Sequence, residues 1–290
     1  MKAKMNKKLR RERRGRTLGG IYAALIYSIF YIPVIVMIQF SFNDAKRNYS
    51  WEGFTTEWYG KLFSFRNHDL WESLGYSILI AVIATAISVV IGVLGGIGLK
   101  KFEFKGKKFV NLMLYVPIVV PEIVLAVAML IIFMTIGIKL GIGTIVIGHC
   151  TFCIPYAVVT IKGRISGDND TLQEASMDLG ANRIQTFWRV TIPSIMPGIM
   201  SAAFLSFTLS IDDVIMSNML ASASQSTLPV LILSVNRTGI TPDINALVTL
   251  VTMAMVVGML TITAIQKHMA KKEAKAMAEA EKRISAARNG

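Results

Sequence analysis

The sequence predicts an all-α integral membrane protein of six transmembrane helices with both termini in the cytoplasm, and three observations carry that reading. The chain of 290 residues is 53% hydrophobic and 17% charged, with mean hydropathy +0.53, whereas a soluble domain averages roughly 45–50% apolar and 25% charged. Its uncharged stretches are long enough to cross a bilayer, which takes about 20 residues for roughly 30 Å of hydrocarbon. Its positive charge sits at the ends. Residues 1–16 carry nine Lys/Arg against one Glu and residues 267–290 carry seven against three, so the 250 residues between them hold only +1 of the net +13. A nucleic-acid binder would display basic side chains on a folded face among aromatics; here they flank a nearly neutral apolar body.

The spans follow in order. Nothing charged lies between Arg16 and Asp44, which places the first near 18–40. Its apolar part is much longer than the h-region of a cleaved signal peptide, so it is expected to remain as a signal anchor. The second lies near 74–99, inside the uncharged run from Glu72 to Lys100. The third, near 110–136, is interrupted only by Glu122, just after Pro117 and Pro121, which free backbone carbonyls and predict a kink. The fourth lies near 143–162, the fifth near 196–220 with Asp212 and Asp213 inside it, and the sixth near 243–266. Runs of this length without alternation are helical rather than barrel strands. The domain scheme is a basic tail over 1–17, a membrane domain over 18–266 and a second basic tail over 267–290.

Orientation follows from Lys and Arg in the connections, which are retained on the cytoplasmic side. With the N-terminus inside, the inner segments hold 25 of these residues and the outer ones six. Both termini are therefore expected inside. Gly92 and Gly96 give span two a small-xxx-small face, which points to close helix packing. The P-loop spacing is absent, so any nucleotide hydrolysis is expected in another chain and no cofactor in this one. Cys150 and Cys153 cannot build a disulfide framework. With His149 they form only a weak metal signal, and packing with an interhelical hydrogen bond from His149 is the favoured reading.

The inner connection over 163–195 is built to fold. Thr171 and Glu174 have capping-box spacing, and Leu172, Ala175 and Leu179 follow at helical intervals. Gly180 is a natural stop, Asn182 can cap a second helix with Ile184, Phe187, Trp188 and Thr191 on one face, and Pro193 and Pro197 open the next span. The first helix is acidic, with Asp168, Asp170, Glu174 and Asp178, which favours docking to a protein over lying on anionic lipid.

Glu174-Ala175-Ser176, Gly180, Val190, Ile192 and Pro193 then match the spacing E-A-A-x3-G-x9-I-x-L-P. In this the sequence resembles the permease subunits of ABC importers, with Ser176, Val190 and Ile192 as small or aliphatic departures. Further stretches resemble the second membrane subunit of the spermidine/putrescine-type branch. They are Val120-Pro121-Glu122-Ile123-Val124, His149 to Tyr156, Leu205 to Asp213, Thr227-Leu228-Pro229 and Thr241 to Leu247. The resemblance covers nearly all of 20–266. It implies the type I permease fold, placement in the cytoplasmic (inner) membrane, a coupling role for Glu174, Ala175, Ser176, Asp178, Gly180, Ile192 and Pro193, and four partners: a second permease subunit, a pair of ATP-binding subunits carrying ATP and Mg, an extracytoplasmic substrate-binding protein and membrane lipid.

Ionisable residues inside spans are costly and by default face a water-filled path or a partner. Glu122, Asp212 and Asp213 are such residues, and no Lys or Arg lies in the spans beside them, which suits a polycationic substrate. On a continuous helix Asp213 shares a polar stripe with Ser206, Ser210 and Ser217, whereas Asp212 shares its face with Leu205, Leu209, Met216 and Met219. Asp213 and these serines are therefore assigned to the transport path, and Asp212 to a helix–helix hydrogen bond or a substrate contact. Glu122 has Tyr115 two turns below it, an aromatic–acid pair suited to an alkylammonium, although Glu122 could equally cap the broken helix or meet a partner subunit. The expected function is polyamine import by alternating access. An ABC permease for a metal ion, thiamine or a phosphonate, a channel or secondary transporter, and a membrane anchor for a signalling complex are the alternatives.

Overall fold

The computed structural model describes residues 2–45, 50–64, 68–165, 168–222, 225–236 and 241–288. The basic side chains of residues 2–16, most of those in 272–288, and the side chains of Asp168 and Asp170 lie outside the described residues. In chain order the helices are α1 Lys2–Phe40, α2 Glu57–Phe63, α3 His68–Lys101, α4 Lys107–Val119, α5 Glu122–Thr135, α6 Ile142–Arg164, α7 Asp168–Asp178, α8 Arg183–Thr186, α9 Ile192–Ile211, α10 Ile215–Leu220, α11 Leu228–Asn236 and α12 Pro242–Arg288. Five of them are long and apolar enough to cross a membrane, and α4 with α5 makes a sixth candidate bent by 104°. The backbone of α1 and α12 continues helically through the basic ends.

The chain divides into two compact units, residues 1–67 with 238–252 and residues 68–237 with 253–290. In the first, α1 leads into a small folded connection centred on buried Asn43. Its side chain donates to the Ser50 carbonyl at 2.7 Å and accepts from the Glu52 N–H at 2.9 Å, while its own carbonyl accepts from Trp58 Nε1 at 2.8 Å. Every polar atom of one buried amide is thus used to close the turn.

The second unit is built on α3, α6 and α9. Gly92 and Gly96 make the α3–α6 crossing close: a Cβ at Gly92 would meet Ala157 Cβ at 2.7 Å, and one at Gly96 would meet Ile161 Cγ2 at 3.2 Å. Two apolar clusters result. One gathers Ile80, Ala84, Ala126, Phe133, Ile145, Phe152 and Met216. The other gathers Val93, Ala157, Ile161, Ile195 and Ala202. Gln266 of α12 joins this unit by donating to Ser201 Oγ at 2.8 Å and to the Pro197 carbonyl at 3.2 Å.

Two expectations about continuity are corrected. Span three is not one kinked helix. Val120 precedes a proline and is driven to extended geometry at φ −68° and ψ 133°, so α4 stops and α5 restarts at Glu122 after the Pro121 cap. Span five is not one helix over 196–220 either. It starts earlier, at Ile192, stops at Ile211, and resumes only as α10. The regularity on which the face assignments of Asp212, Asp213 and Tyr115 were built is therefore absent at the residues concerned.

Candidate functional site

Both breaks open onto one cavity of about 450 Å³, lined by Glu122 from the start of α5, by Asp212 and Asp213 from the break after α9, and by Phe152 and Tyr156 from α6. Pro117, Ile118, Val120, Leu125, Leu209, Val214 and Ile215 complete the wall. Three carboxylates thus share one apolar chamber whose size lies within the roughly 300–1,000 Å³ usual for small-ligand sites. Irregular backbone is tolerated at membrane depth only where it is buried in protein or lines a water-filled cavity. Both breaks line the cavity.

The two adjacent aspartates differ. The Asp213 side chain is 2% exposed, and its Oδ2 accepts from His149 Nε2 at 3.0 Å. It also accepts from the backbone N–H of Ser217 at 2.7 Å and, through Oδ1, from that of Met216 at 3.3 Å. The carboxylate therefore caps α10 in the manner of an N-cap acid. Asp212, by contrast, is exposed. His149 is fully buried on α6; its Nδ1 lies 2.6 Å from Ser210 Oγ, and its Nε2 is 3.2 Å from Ser217 Oγ as well. A carboxylate can only accept, so Nε2 carries the proton that Asp213 receives.

Ser210, Asp213 and Ser217 do come together, though around His149 and not along a continuous helical stripe. Ser206 is buried one turn away on α9, where its carbonyl accepts from Cys153 Sγ at 3.5 Å. Cys150 similarly points at the Ala84 carbonyl, at 3.9 Å. Among the described residues no three His, Cys, Asp or Glu side chains are arranged to hold a metal. Tyr115 does not stack below Glu122: the 104° bend between α4 and α5 separates their faces, Tyr115 is exposed on α4, and the aromatic wall of the cavity comes from Phe152 and Tyr156. Sequence reasoning missed both of these. Tyr156 was within reach, since on α6 it follows His149 by seven residues, two turns along one face. It also missed Gly148, where a Cβ would meet Leu220 Cδ1 at 2.7 Å, so that a glycine is what lets α10 approach α6.

At the other end of this unit, α7 and α8 form the short helical pair expected from the sequence. The first helix begins at Asp168, so Thr171 lies inside it and not at its cap. It ends as the glycine predicts: Gly180 takes φ +88°, its N–H reaches the Met177 carbonyl at 2.9 Å, and the Ala181 N–H reaches that of Ser176 at 3.1 Å, a Schellman closure. Asn182 and Gln185 then cap α8 reciprocally at 2.8 and 3.0 Å. Phe187–Thr191 forms a π-helical turn running directly into α9. That wider turn rotates the register, so Thr191 is buried while Ile184 and Trp188 are exposed, and these do not share the face expected of them. Ser176 Oγ meets Thr186 Oγ1 at 3.2 Å, joining the two helices. Lys101, at the end of α3, bonds to the buried amide of Gln173. Glu174, Ala175, Asp178 and Gly180 are exposed, as are the apolar Leu172 and Leu179. Ile192 is half-buried and Pro193 exposed at the start of α9.

Comparison with known proteins adds the following. The profile of the family described as "Binding-protein-dependent transport system inner membrane component" matches residues 88–275. The spermidine/putrescine transport system permease protein PotC of Escherichia coli (strain K12) is 38% identical over 236 residues, 81% of this chain and 89% of the relative. Its namesake in Haemophilus influenzae is 37% identical over 254 residues, 87% and 98% of the two chains. The putrescine transport system permease protein PotI of Escherichia coli (strain K12) is 33% identical over 232 residues, 78% and 82% of the two chains. Among solved structures, a bacterial ABC transporter involved in import of the acidic polysaccharide alginate superposes with TM-score 0.60 at 17% identity, covering 88% of this chain and 97% of that one. An inward-facing MetNI methionine ABC transporter gives TM-score 0.55 at 17% identity, covering 72% and 97%. At that identity these two describe the fold alone.

Proposed function

The chain belongs to the family of inner membrane components of binding-protein-dependent transport systems, and from that membership we infer that it is the membrane-spanning permease subunit of an ATP-driven polyamine importer. The observation that carries the substrate class is the convergence of Glu122, Asp212 and Asp213 on one cavity inside an otherwise neutral apolar body. An anion would meet three carboxylates there, and a neutral solute would leave them uncompensated. A flexible chain of ammonium groups answers both, with its methylenes against Leu125, Leu209 and Ile215. Phe152 and Tyr156 offer ring faces to its cationic ends.

Within that cavity Asp212 and Glu122 are the carboxylates that meet the cation. Asp213 stands behind them, held by His149 together with Ser210 and Ser217; the buried Ser206, Ser210 and Ser217, expected along the path, line no part of the cavity. The relatives are permeases of spermidine/putrescine and putrescine transport systems, which supports the same substrate class. Both termini face the cytoplasm, in line with the Lys/Arg distribution. The exposed segment from Glu174 to Gly180, continuing to Ile192 and Pro193, docks on an ATP-binding subunit, and a second permease subunit and an extracytoplasmic substrate-binding protein complete the assembly. Closure of the ATPase pair draws the docking segments of the two permeases together and turns the cavity outward, and hydrolysis resets it. The two ATPase states must engage the segment differently for this to do work.

The test is reconstitution. Co-expressed with its partner subunits and placed in proteoliposomes with the binding protein, the complex is expected to accumulate labelled spermidine only when ATP is present on the ATPase side. Uptake that runs down a gradient without ATP would make it a channel or secondary transporter. Uptake competed by thiamine, a phosphonate or a divalent metal but not by putrescine would change the solute.

A further inference from the structure

We propose that His149 is a positioning residue for transport: by bolting the break in span five it fixes Asp213 and thereby aims Asp212 at the cation. The inference rests on the cation site described above and adds a device that holds it in shape. The helix is interrupted between Ile211 and Ile215, and two consecutive residues inside such a break have no regular ladder to fix their directions. Side chains must fix them instead.

One imidazole reaches all three parts of the break. Its Nδ1 contacts Ser210 in the last turn of α9 at 2.6 Å, its Nε2 contacts Asp213 in the break itself at 3.0 Å, and the same Nε2 contacts Ser217 in α10 at 3.2 Å. Asp213 in turn holds the first free amides of α10, those of Met216 and Ser217. With Asp213 pinned inward at 2% side-chain exposure, its neighbour Asp212 is left exposed on the cavity side. The bolt needs α10 close to α6, and the missing Cβ at Gly148 allows that, since one there would stand 2.7 Å from Leu220 Cδ1. His149 itself lines no part of the cavity. It acts through Asp212 without touching solute.

The assembled transporter in proteoliposomes, assayed for labelled spermidine uptake, tests this with four variants: Asp212→Asn, His149→Leu, His149→Gln and the double variant His149→Leu/Asp212→Asn. Losing the Asp212 charge is expected to raise KM about tenfold, the size of roughly 1.4 kcal/mol of charge interaction in a solvated cavity. His149→Leu raises KM by a similar factor with Vmax largely kept, and His149→Gln, which retains an N–H for Asp213, raises it less. The deciding readout is coupling. If His149 acts through Asp212, the double variant stays within about twofold of Asp212→Asn, whereas independent effects would multiply to about a hundredfold. A multiplicative result, or a normal KM in His149→Leu while Asp212→Asn is impaired, overturns this proposal and leaves the cation site standing. A normal KM in Asp212→Asn overturns both. Loss of both His149 variants from the membrane would make the residue a folding element only and would also overturn it.

Discussion

Replacing Asp213 by Asn separates the two aspartates by what they hold. The carboxylate, 2% exposed, receives three N–H groups: His149 Nε2 at 3.0 Å, Ser217 N at 2.7 Å and Met216 N at 3.3 Å. Asn keeps the shape but offers one accepting oxygen and turns an NH2 group toward one of those donors. A buried donor left unmatched costs about 1–3 kcal/mol, and the remaining bonds fall from the charge-assisted range of about 1.5–3 kcal/mol to about 1 kcal/mol each. The net expectation is a loss of about 2–4 kcal/mol. Asp212→Asn removes an exposed carboxylate and is expected to stay within about 0.5 kcal/mol of the parent. Thermal inactivation of the detergent-solubilised complex, followed by size-exclusion chromatography of a tagged permease, reads both, and membrane abundance gives a second reading. A residue that only lined the transport path would lose uptake on this change with abundance unchanged. The buried cap predicts lowered abundance as well. Equal stability of the two variants would refute the division of roles.

Three further outcomes are expected. Gly92→Ala places a methyl 2.7 Å from Ala157 Cβ and should lower stability in the same thermal assay by about 1–3 kcal/mol, whereas Gly98→Ala, with nothing within 4 Å, should be neutral. Gly180→Val forces a branched residue to φ +88°, a strain of about 1–2 kcal/mol, and should depress binding-protein-stimulated ATP hydrolysis by the assembled transporter; Gly180→Asn, which tolerates that conformation, should keep it. Gln173→Leu cuts the tie between α7 and Lys101, so amide hydrogen exchange across 168–178 should quicken by about five- to tenfold, the equivalent of about 1 kcal/mol of local stability.

The spans were legible because lipid leaves a chain no alternative: an uncharged run of the right length has to be a helix, and each of the six expected segments contains one or a bent pair. The packing glycines Gly92 and Gly96 were legible for a related reason, since small residues at a spacing of four mark a face that a neighbour can approach. What was not legible is where the helices stop. Assigning Asp213 and Tyr115 to faces multiplied 100° per residue across positions 120–121 and 212–214, where the helices are interrupted. A signal did exist. Pro121 bars Val120 from helical geometry, and an aspartate followed by apolar residues is the ordinary start of a helix as much as the middle of one. Read as a cap, Asp213 marks the beginning of α10. His149 was correctly expected to bond across helices, but its partners were hidden because Ser210, Asp213 and Ser217 lie 61 to 68 residues away.

The two breaks also bear on the sign of the solute. A helix start carries the positive end of the backbone dipole together with free N–H groups, and left open it attracts anions. Here two helices begin beside the cavity, and each start is met by an acid of this chain: Glu122 stands in the first turn of α5, and Asp213 caps α10 with both oxygens. The positive ends are thereby answered from within, which removes the feature that would have welcomed a carboxylate or phosphate. Asp212 answers no helix end. It stands exposed on the cavity wall alongside Glu122, which lines the cavity as well. On the proposed reading, the cavity favours cations because the backbone's own positive ends have already been neutralised, and the solute supplies the positive charge that Asp212 lacks.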